Sequence, residues 1–289
     1  MEATRELDIA ITGSTGLIGS ALAVSLRAGG HRVRPIVRRA AGAPDEISID
    51  HLDLTGVDAV VNLGGEGIAD KRWSDEQKHR IIDSRREGTR RIAEAIASTD
   101  RKPVLLSGSA IGYYGNRGDE VLTEASGSGS GFLTDVCLAW EAAAQPAIDA
   151  GARVAFLRTG IVLAPHGGAL GKLLPLFKLG LGGRMGSGRQ WMSWITLDDE
   201  VAAITHLLTA EVSGPVNLTA PNPVTNAELG KTLGRVLHRP SVLPTPAFGP
   251  RLLLGRELAA SLLFDSQRVV PARLVESGFA HEHPQLEGA

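Results

Sequence analysis

The stretch Ile9-Ala10-Ile11-Thr12-Gly13-Ser14-Thr15-Gly16-Leu17-Ile18-Gly19-Ser20 decides the fold. The apolar run from Leu7 to Ile11 predicts a buried strand. Ile18, Leu22, Ser25 and Leu26 then share one face of a helix. Glycines 13, 16 and 19 stand between the two. Gly13 permits a sharp turn, Gly16 lets a pyrophosphate approach the backbone, and Gly19 lets helix and strand pack closely. Free N–H groups and the positive end of the helix dipole face the bound anion. Glycines alone would make only a tight turn. Their place after a strand and before a helix points to a phosphate cradle.

A second strand is expected from His31 to Arg38, completing a βαβ unit of about 30 residues. The end of this strand reaches the adenosine ribose in dinucleotide folds. An acidic residue there holds the 2′-hydroxyl of NAD, and Arg accommodates the 2′-phosphate of NADP. Arg38 and Arg39 occupy that end, with no carboxylate before Asp45. Arg beside a phosphate dianion is favourable, so the expected cofactor is NADP(H).

Further strands are expected at Ile47–Asp50, Asp58–Gly65, Pro103–Ser109 and Arg153–Arg158. Long helices are expected at Asp75–Ala97 and from Leu133 to about Ala144. Alternating strands and helices predict an α/β protein with a Rossmann-type doubly wound parallel sheet. Ligands bind beyond the carboxyl ends of such strands. That edge gathers the glycine turn, Arg38, Leu63 to Glu66, Ser107 to Tyr114, and Thr159 to Val162. Gly64 and Gly65 leave room beside ribose and pyrophosphate, Glu66 is placed to meet a hydroxyl, and Ser107 joins the cofactor set. Arg85 sits on the apolar stripe Ile81, Arg85, Gly88, Ile92, Ile96. It therefore meets the cofactor, a loop carbonyl or a carboxylate.

The texture changes near Gly167. A glycine-rich basic stretch with Arg184 and Arg189 reads as a short helix and a mobile loop near the cleft. Trp191 and Trp194 cover that cleft. Helices are expected at 197–208, from the capping box Thr225–Glu228 to about Pro240, and at 252–263 and 270–276. The division expected is an NADP-binding domain over 1–165, with segments near 190–220 returning to it. A smaller, mostly helical substrate lobe takes up 166–289. His281 and His283 are expected in a solvated tail.

Bulk properties narrow the class. The chain has 289 residues, 43% hydrophobic and 21% charged, with a formal net charge of −2. That balance offers no footprint for nucleic acid and no basic membrane patch. No apolar run reaches the length of a membrane span. A single cysteine, Cys137, suits a reducing cytoplasm. Expected partners are a small-molecule substrate and at most a second copy, the chain being monomer or homodimer. The histidines show no metal-ligand spacing.

The blocks ITGSTGLIG, VNLGGEGI, RWSDEQKHRIIDSRREGTR, SGSAIGYYG, AWEAAA, GLGGRMGSGRQWMSWITLDD and FDSQRVVPARLVESGF resemble the atypical short-chain dehydrogenase/reductases of the "epimerase family protein" branch. The wider superfamily includes nucleoside-diphosphate-sugar epimerases. The resemblance implies cofactor contacts at Gly13, Thr15, Gly16, Leu17, Ile18, Gly19, Arg38, Leu63, Gly64, Arg85 and Val162. It also implies a Ser after the fifth strand, plus a Tyr and a Lys at i and i+4 on the next helix. Ser109 meets the Ser position. Cys137 and Glu141 stand where Tyr and Lys would be, so the usual proton relay is absent. The remaining proton carriers are Tyr113, Tyr114, Glu141 and Cys137. An NADP(H)-dependent oxidoreductase or epimerase-like enzyme on a small polar or sugar-derived substrate follows. The alternative is a non-catalytic NADP(H)-binding sensor or assembly partner.

Overall fold

The computed structural model describes residues 5–38, 42–241 and 255–289. Seven strands make its central sheet: β1 (Asp8–Thr12), β2 (Arg32–Val37), β3 (Ile47–Ser48), β4 (Ala59–Asn62), β5 (Val104–Ala110), β6 (Val154–Thr159) and β7 (Gly214–Leu218). All pairings are parallel, in the order β7-β6-β5-β4-β1-β2-β3. Chain direction across the sheet reverses between β1 and β4, which opens a crevice beyond their carboxyl ends. The sheet is the expected doubly wound α/β architecture.

Two apolar layers sandwich it. On one face, Ile9, Ile11, Val61 and Leu157 pack against α1 (Leu17–Ala28). On the other, Ala10, Val60 and Leu105 pack against Ile92, Ala93 and Ile96 of α2 (Asp75–Ser98). Near-continuous apolar strands are what a sheet covered on both faces requires. Helix α2 starts where Ser74 accepts a hydrogen bond from Gln77 N at 3.2 Å, with Asp75 and Glu76 in its first turn. Acidic side chains there complement the helix dipole.

Sequence reading had no strand at 214–218. Gly214, Pro215 and Asn217 all disfavour strands, yet β7 lies at the sheet edge, where a proline is tolerated. Asn217 is fully buried and bonds to Tyr114 and to Val270 O. Short ribbons complete the molecule. Ile161–Leu163 pairs with Trp194–Thr196, and Trp191–Met192 with Val224–Thr225. Val121–Leu122 pairs with Arg268–Val269, joining the C-terminal segment to the sheet domain.

Further helices are α3 (Phe132–Ala142), α4 (Gly168–Lys178), α5 (Leu197–Thr209) and α6 (Asn226–Val236). The capping box of Thr225 and Glu228 is formed as read. Of the expected helix at 252–263, positions 252–254 lie outside the described residues. The rest is a helical turn at Arg256–Ala259 followed by a wider π-type turn at Ala260–Phe264. The expected helix at 270–276 begins only at Ala272. The tail is largely exposed as expected, but residues 281–283 are anchored. Asp199 accepts hydrogen bonds from Glu282 N and His283 N at 2.8 and 3.0 Å, and His281 Nε2 lies 2.9 Å from Thr219 O.

Candidate functional site

The glycine turn is built by exclusion. Gly13 has φ +67°, and a Cβ there would lie 2.8 Å from Leu63 O. A Cβ on Gly19 would lie 2.2 Å from Gly13 O, so only hydrogen fits between helix and turn. Gly16 caps α1, its N–H donating to Gly13 O at 2.9 Å. The first backbone bond inside α1 is Ser20 N to Gly16 O. The amides of Leu17, Ile18 and Gly19 therefore have no intrahelical acceptor. No side chain caps this end and no acidic residue stands in its first turn. Thr15 and Gly16 are exposed at the mouth. These residues fit a phosphate-bearing cofactor.

The adjoining wall is pinned to the turn. Thr12 Oγ1 donates to Asn62 Oδ1 at 2.7 Å and accepts from Gly64 N at 2.9 Å. Asn62 Nδ2 donates to Thr89 Oγ1 of α2 at 2.8 Å. This buried chain holds Leu63, Gly64 and Gly65 beside Gly13. Ser107, in register with Asn62, is wholly buried and its Oγ has no partner. Glu66 N donates to Ser84 Oγ, and Glu66 O accepts from Arg85 Nη1 at 2.9 Å. Of the three readings of Arg85, the loop carbonyl is the one seen. A Cβ on Gly65 would lie 2.9 Å from the Arg85 guanidinium, so the glycine makes that approach feasible. Burial pushes the pKa of Arg85 down to about 10, leaving it a cation at neutral pH. Arg38 is exposed at the carboxyl end of β2, and Arg39 lies outside the described residues. Val162 is half-buried on the 161–163 ribbon.

Next to the cradle lies a cavity of about 170 Å³. Arg85, Ala110, Cys137, Trp140, Thr159 and Trp191 contribute to its wall. Of the four sequence-derived proton carriers and their Ser, one reaches this wall, Cys137. Its environment is unsuited to proton exchange. Burial pushes the thiol up to about 11, and the nearby Glu141 carboxylate adds to the rise. The Sγ–H points to Ala110 O at 3.5 Å.

The others meet behind the wall, in a buried polar cluster. Ser109 Oγ donates to Glu141 Oε1 at 2.7 Å. Arg158 Nε and Nη2 clamp the two Glu141 oxygens at 2.8 and 2.9 Å. Arg158 Nη1 donates to the Tyr114 hydroxyl, which donates to Asn217 Oδ1 at 2.7 Å. The Arg158 guanidinium lies 3.4 Å from the centre of the Tyr113 ring. Burial pulls the pKa of Arg158 down, but Glu141 outweighs it and the net shift is upward. Burial also raises the pKa of the Tyr114 hydroxyl. Structure thus places Ser109, Glu141, Tyr113 and Tyr114 around a guanidinium and away from the cavity wall. The reason is Arg158, which the sequence reading treated only as the end of a strand.

Two further expectations change. Trp194 is a core residue whose Nε1 donates to Asn222 O, and Trp191 alone of the pair faces the cavity. Arg184 and Arg189 are exposed and do not line it. Their loop is held by Asn226, whose Oδ1 accepts from Met185 N and whose N–H donates to Gln190 O. Sequence reading missed Asp265, Gln267 and Trp140 in the wall. The aspartate directly after Leu262-Leu263-Phe264 was the available signal. Burial raises the pKa of its carboxyl.

Behind the same wall, Thr159 Oγ1 donates to Glu200 Oε1 at 2.8 Å. Burial pushes the Glu200 carboxyl up from 4.5 to about 8, with the Thr159 bond opposing. The folded state therefore binds a proton that the unfolded chain releases above about pH 4.5. This contribution to stability is complete below that pH and is lost as pH rises through about 8. Between pH 5 and 8.5, wild type should lose on the order of a few kcal/mol that Glu200→Gln does not lose. Urea midpoints at both pH values check this, and equal losses in the two proteins would contradict it.

The family model described as "NAD dependent epimerase/dehydratase family" matches residues 9–219, and a "domain of unknown function" model matches 245–289. "Epimerase family protein Mb2239" of Mycobacterium bovis is 47% identical over 283 residues, covering 95% of this chain and 93% of its own. Human "Epimerase family protein SDR39U1" is 37% identical, with 97% of each chain covered. A crystal structure of that human protein (isoform 2) with NADPH superposes with TM-score 0.91 at 34% identity, covering 98% of this chain and 97% of that one. A Corynebacterium glutamicum nucleoside-diphosphate sugar epimerase superposes with TM-score 0.80 at 39% identity, covering 98% of this chain and 57% of that one.

Proposed function

Because the chain belongs to the NAD dependent epimerase/dehydratase family, we propose that it is an NADP(H)-dependent oxidoreductase or epimerase-like enzyme acting on a small molecule. The carrying observation is a phosphate cradle open at Gly16, side by side with a largely apolar cavity. A pure nucleotide sensor has no need of that second space, so the catalytic reading is preferred.

The cofactor supplies a hydride donor or acceptor when bound. Gly13, Gly16 and Gly19 let its pyrophosphate reach the amides of Leu17 and Ile18. Thr15, Leu63, Gly64, Gly65 and Glu66 border the ribose, and Val162 closes the far side. Arg38 pairs with the 2′-phosphate, since an exposed guanidinium matches its charge and geometry. Ser107 and Arg85 support the floor. Arg158 locks Ser109, Glu141 and Tyr114 in place, so Asp265 takes over the proton at the substrate oxygen. Asp265 lines the cavity, and burial raises the pKa of its carboxyl. Residues 1–165 with the 190–220 segments serve the cofactor, and the rest of 166–289 serves the substrate.

Titration with NADPH and NADH tests the cofactor assignment. Wild type is expected to prefer NADPH at least tenfold. Arg38→Asp should weaken NADPH binding by a factor of about 10 or more, roughly 1.4 kcal/mol, and leave NADH nearly untouched. Equal affinities in wild type would overturn the NADP(H) reading.

A further inference from the structure

The wall of the cavity specifies what fits inside. A cavity of ~150 Å³ takes a benzene ring. This one, at about 170 Å³, takes one ring or branched chain with a short substituent. Any share that a nicotinamide occupies reduces the remainder. Ile68, Ile111, Leu133, Ile161, Met192 and Leu262 make most of the wall apolar.

Its polar side chains are largely engaged with the protein. Thr159 Oγ1 donates to Glu200, and Gln267 Nε2 donates to Ile111 O. Ser193 Oγ accepts from Val269 N and lies 2.8 Å from Gln267 O as donor. Among the described residues the wall holds one cation, Arg85, and one carboxylate, Asp265. Arg85 Nη1 is occupied by Glu66 O and Ile81 O. A nucleoside diphosphate carries several charged and hydroxyl groups, and this wall would leave most of them unmatched.

Two groups stay unpartnered: Arg85 Nε and Trp140 Nε1. They belong to side chains only 7% and 8% exposed, with the guanidinium 4.9 Å from the indole ring. Both can only donate. Arg85 is the one cation lining the wall among the described residues, so a ligand there presents an acceptor to it and an apolar body to the rest. Asp265 disfavours a second negative charge in the same space.

We propose that this cavity binds a compact, uncharged apolar carbonyl compound, one ring or branched chain bearing a single C=O, in preference to a nucleoside-diphosphate sugar. As a substrate class this rests on the catalytic reading above, whereas binding itself is measurable without any cofactor.

Calorimetric titration of the full chain with acetophenone, ethylbenzene and UDP-glucose provides the test, with and without NADP⁺. Acetophenone is expected to bind at least tenfold tighter than UDP-glucose. Ala110→Leu, which fills the wall, should weaken acetophenone at least tenfold. Ethylbenzene, which lacks the acceptor, should bind more weakly than acetophenone. The proposal is overturned if UDP-glucose binds as tightly as acetophenone, if neither binds, or if a folded Ala110→Leu leaves acetophenone affinity unchanged. Should Ala110→Leu fail to fold, the wild-type comparison decides. Parallel NADPH titration separates the two readings: no NADPH binding would remove the proposed function and leave the cavity result standing.

Discussion

Gly19→Ala is expected to lower NADPH affinity at least 100-fold, roughly 2.7 kcal/mol. The added Cβ would lie 2.2 Å from Gly13 O, 2.8 Å from Gly13 C and 3.0 Å from Ser14 Cα. All three are backbone atoms, so no side chain can swing aside. Either the turn opens or α1 slides, and the amides of Leu17 and Ile18 no longer converge. Gly88→Ala is the matched control. No atom lies within 4 Å of a Cβ built there, and alanine favours a helix interior by about 1 kcal/mol over glycine. Isothermal titration of both variants measures the contrast. Gly19→Ala binding NADPH like wild type would show that the turn does not form the cradle.

Arg158→Ala should destabilise the fold by about 3–5 kcal/mol, the cost of leaving one member of a buried ion pair without its partner. Arg158 and Glu141 side chains are 4% and 13% exposed, and they meet through two parallel bonds. Removal of the guanidinium leaves the Glu141 carboxylate with only the Ser109 hydroxyl, and deprives Tyr114 of a donor. Glu141→Gln retains an acceptor for Arg158 and is expected to cost less. Urea unfolding at neutral pH ranks the three proteins. If Arg158→Ala matched wild type, the cluster would not be holding β6 against α3, and Glu141 would be free for other work.

The contrast between these two predictions follows how each feature is encoded. The cradle was legible because its parts are neighbours along the chain: a strand, three glycines at fixed spacing and a helix start. Arg85 was legible as a buried cation because helical periodicity placed it on the stripe of Ile81, Ile92 and Ile96. The Thr225 capping box was legible because its partners are three residues apart. Each is a local pattern with a fixed period or spacing, and local geometry limits what such patterns can become.

The candidate catalytic residues were harder because their environment is set by distant chain. Glu141 looked available on its helix, yet Arg158 reaches it from an adjacent strand. Tyr114 looked like a loop residue, yet its hydroxyl bonds Asn217, 103 positions away on an edge strand that the sequence disguised. Asp265 lies on a C-terminal segment that the 268–269 ribbon, paired with 121–122, ties to the sheet domain. The sequence by itself determined the sheet class, the glycine turn and the family. Tertiary structure alone decided which polar side chains face the cavity and which serve one another, because burial forces each charged group to find a partner wherever topology delivers one.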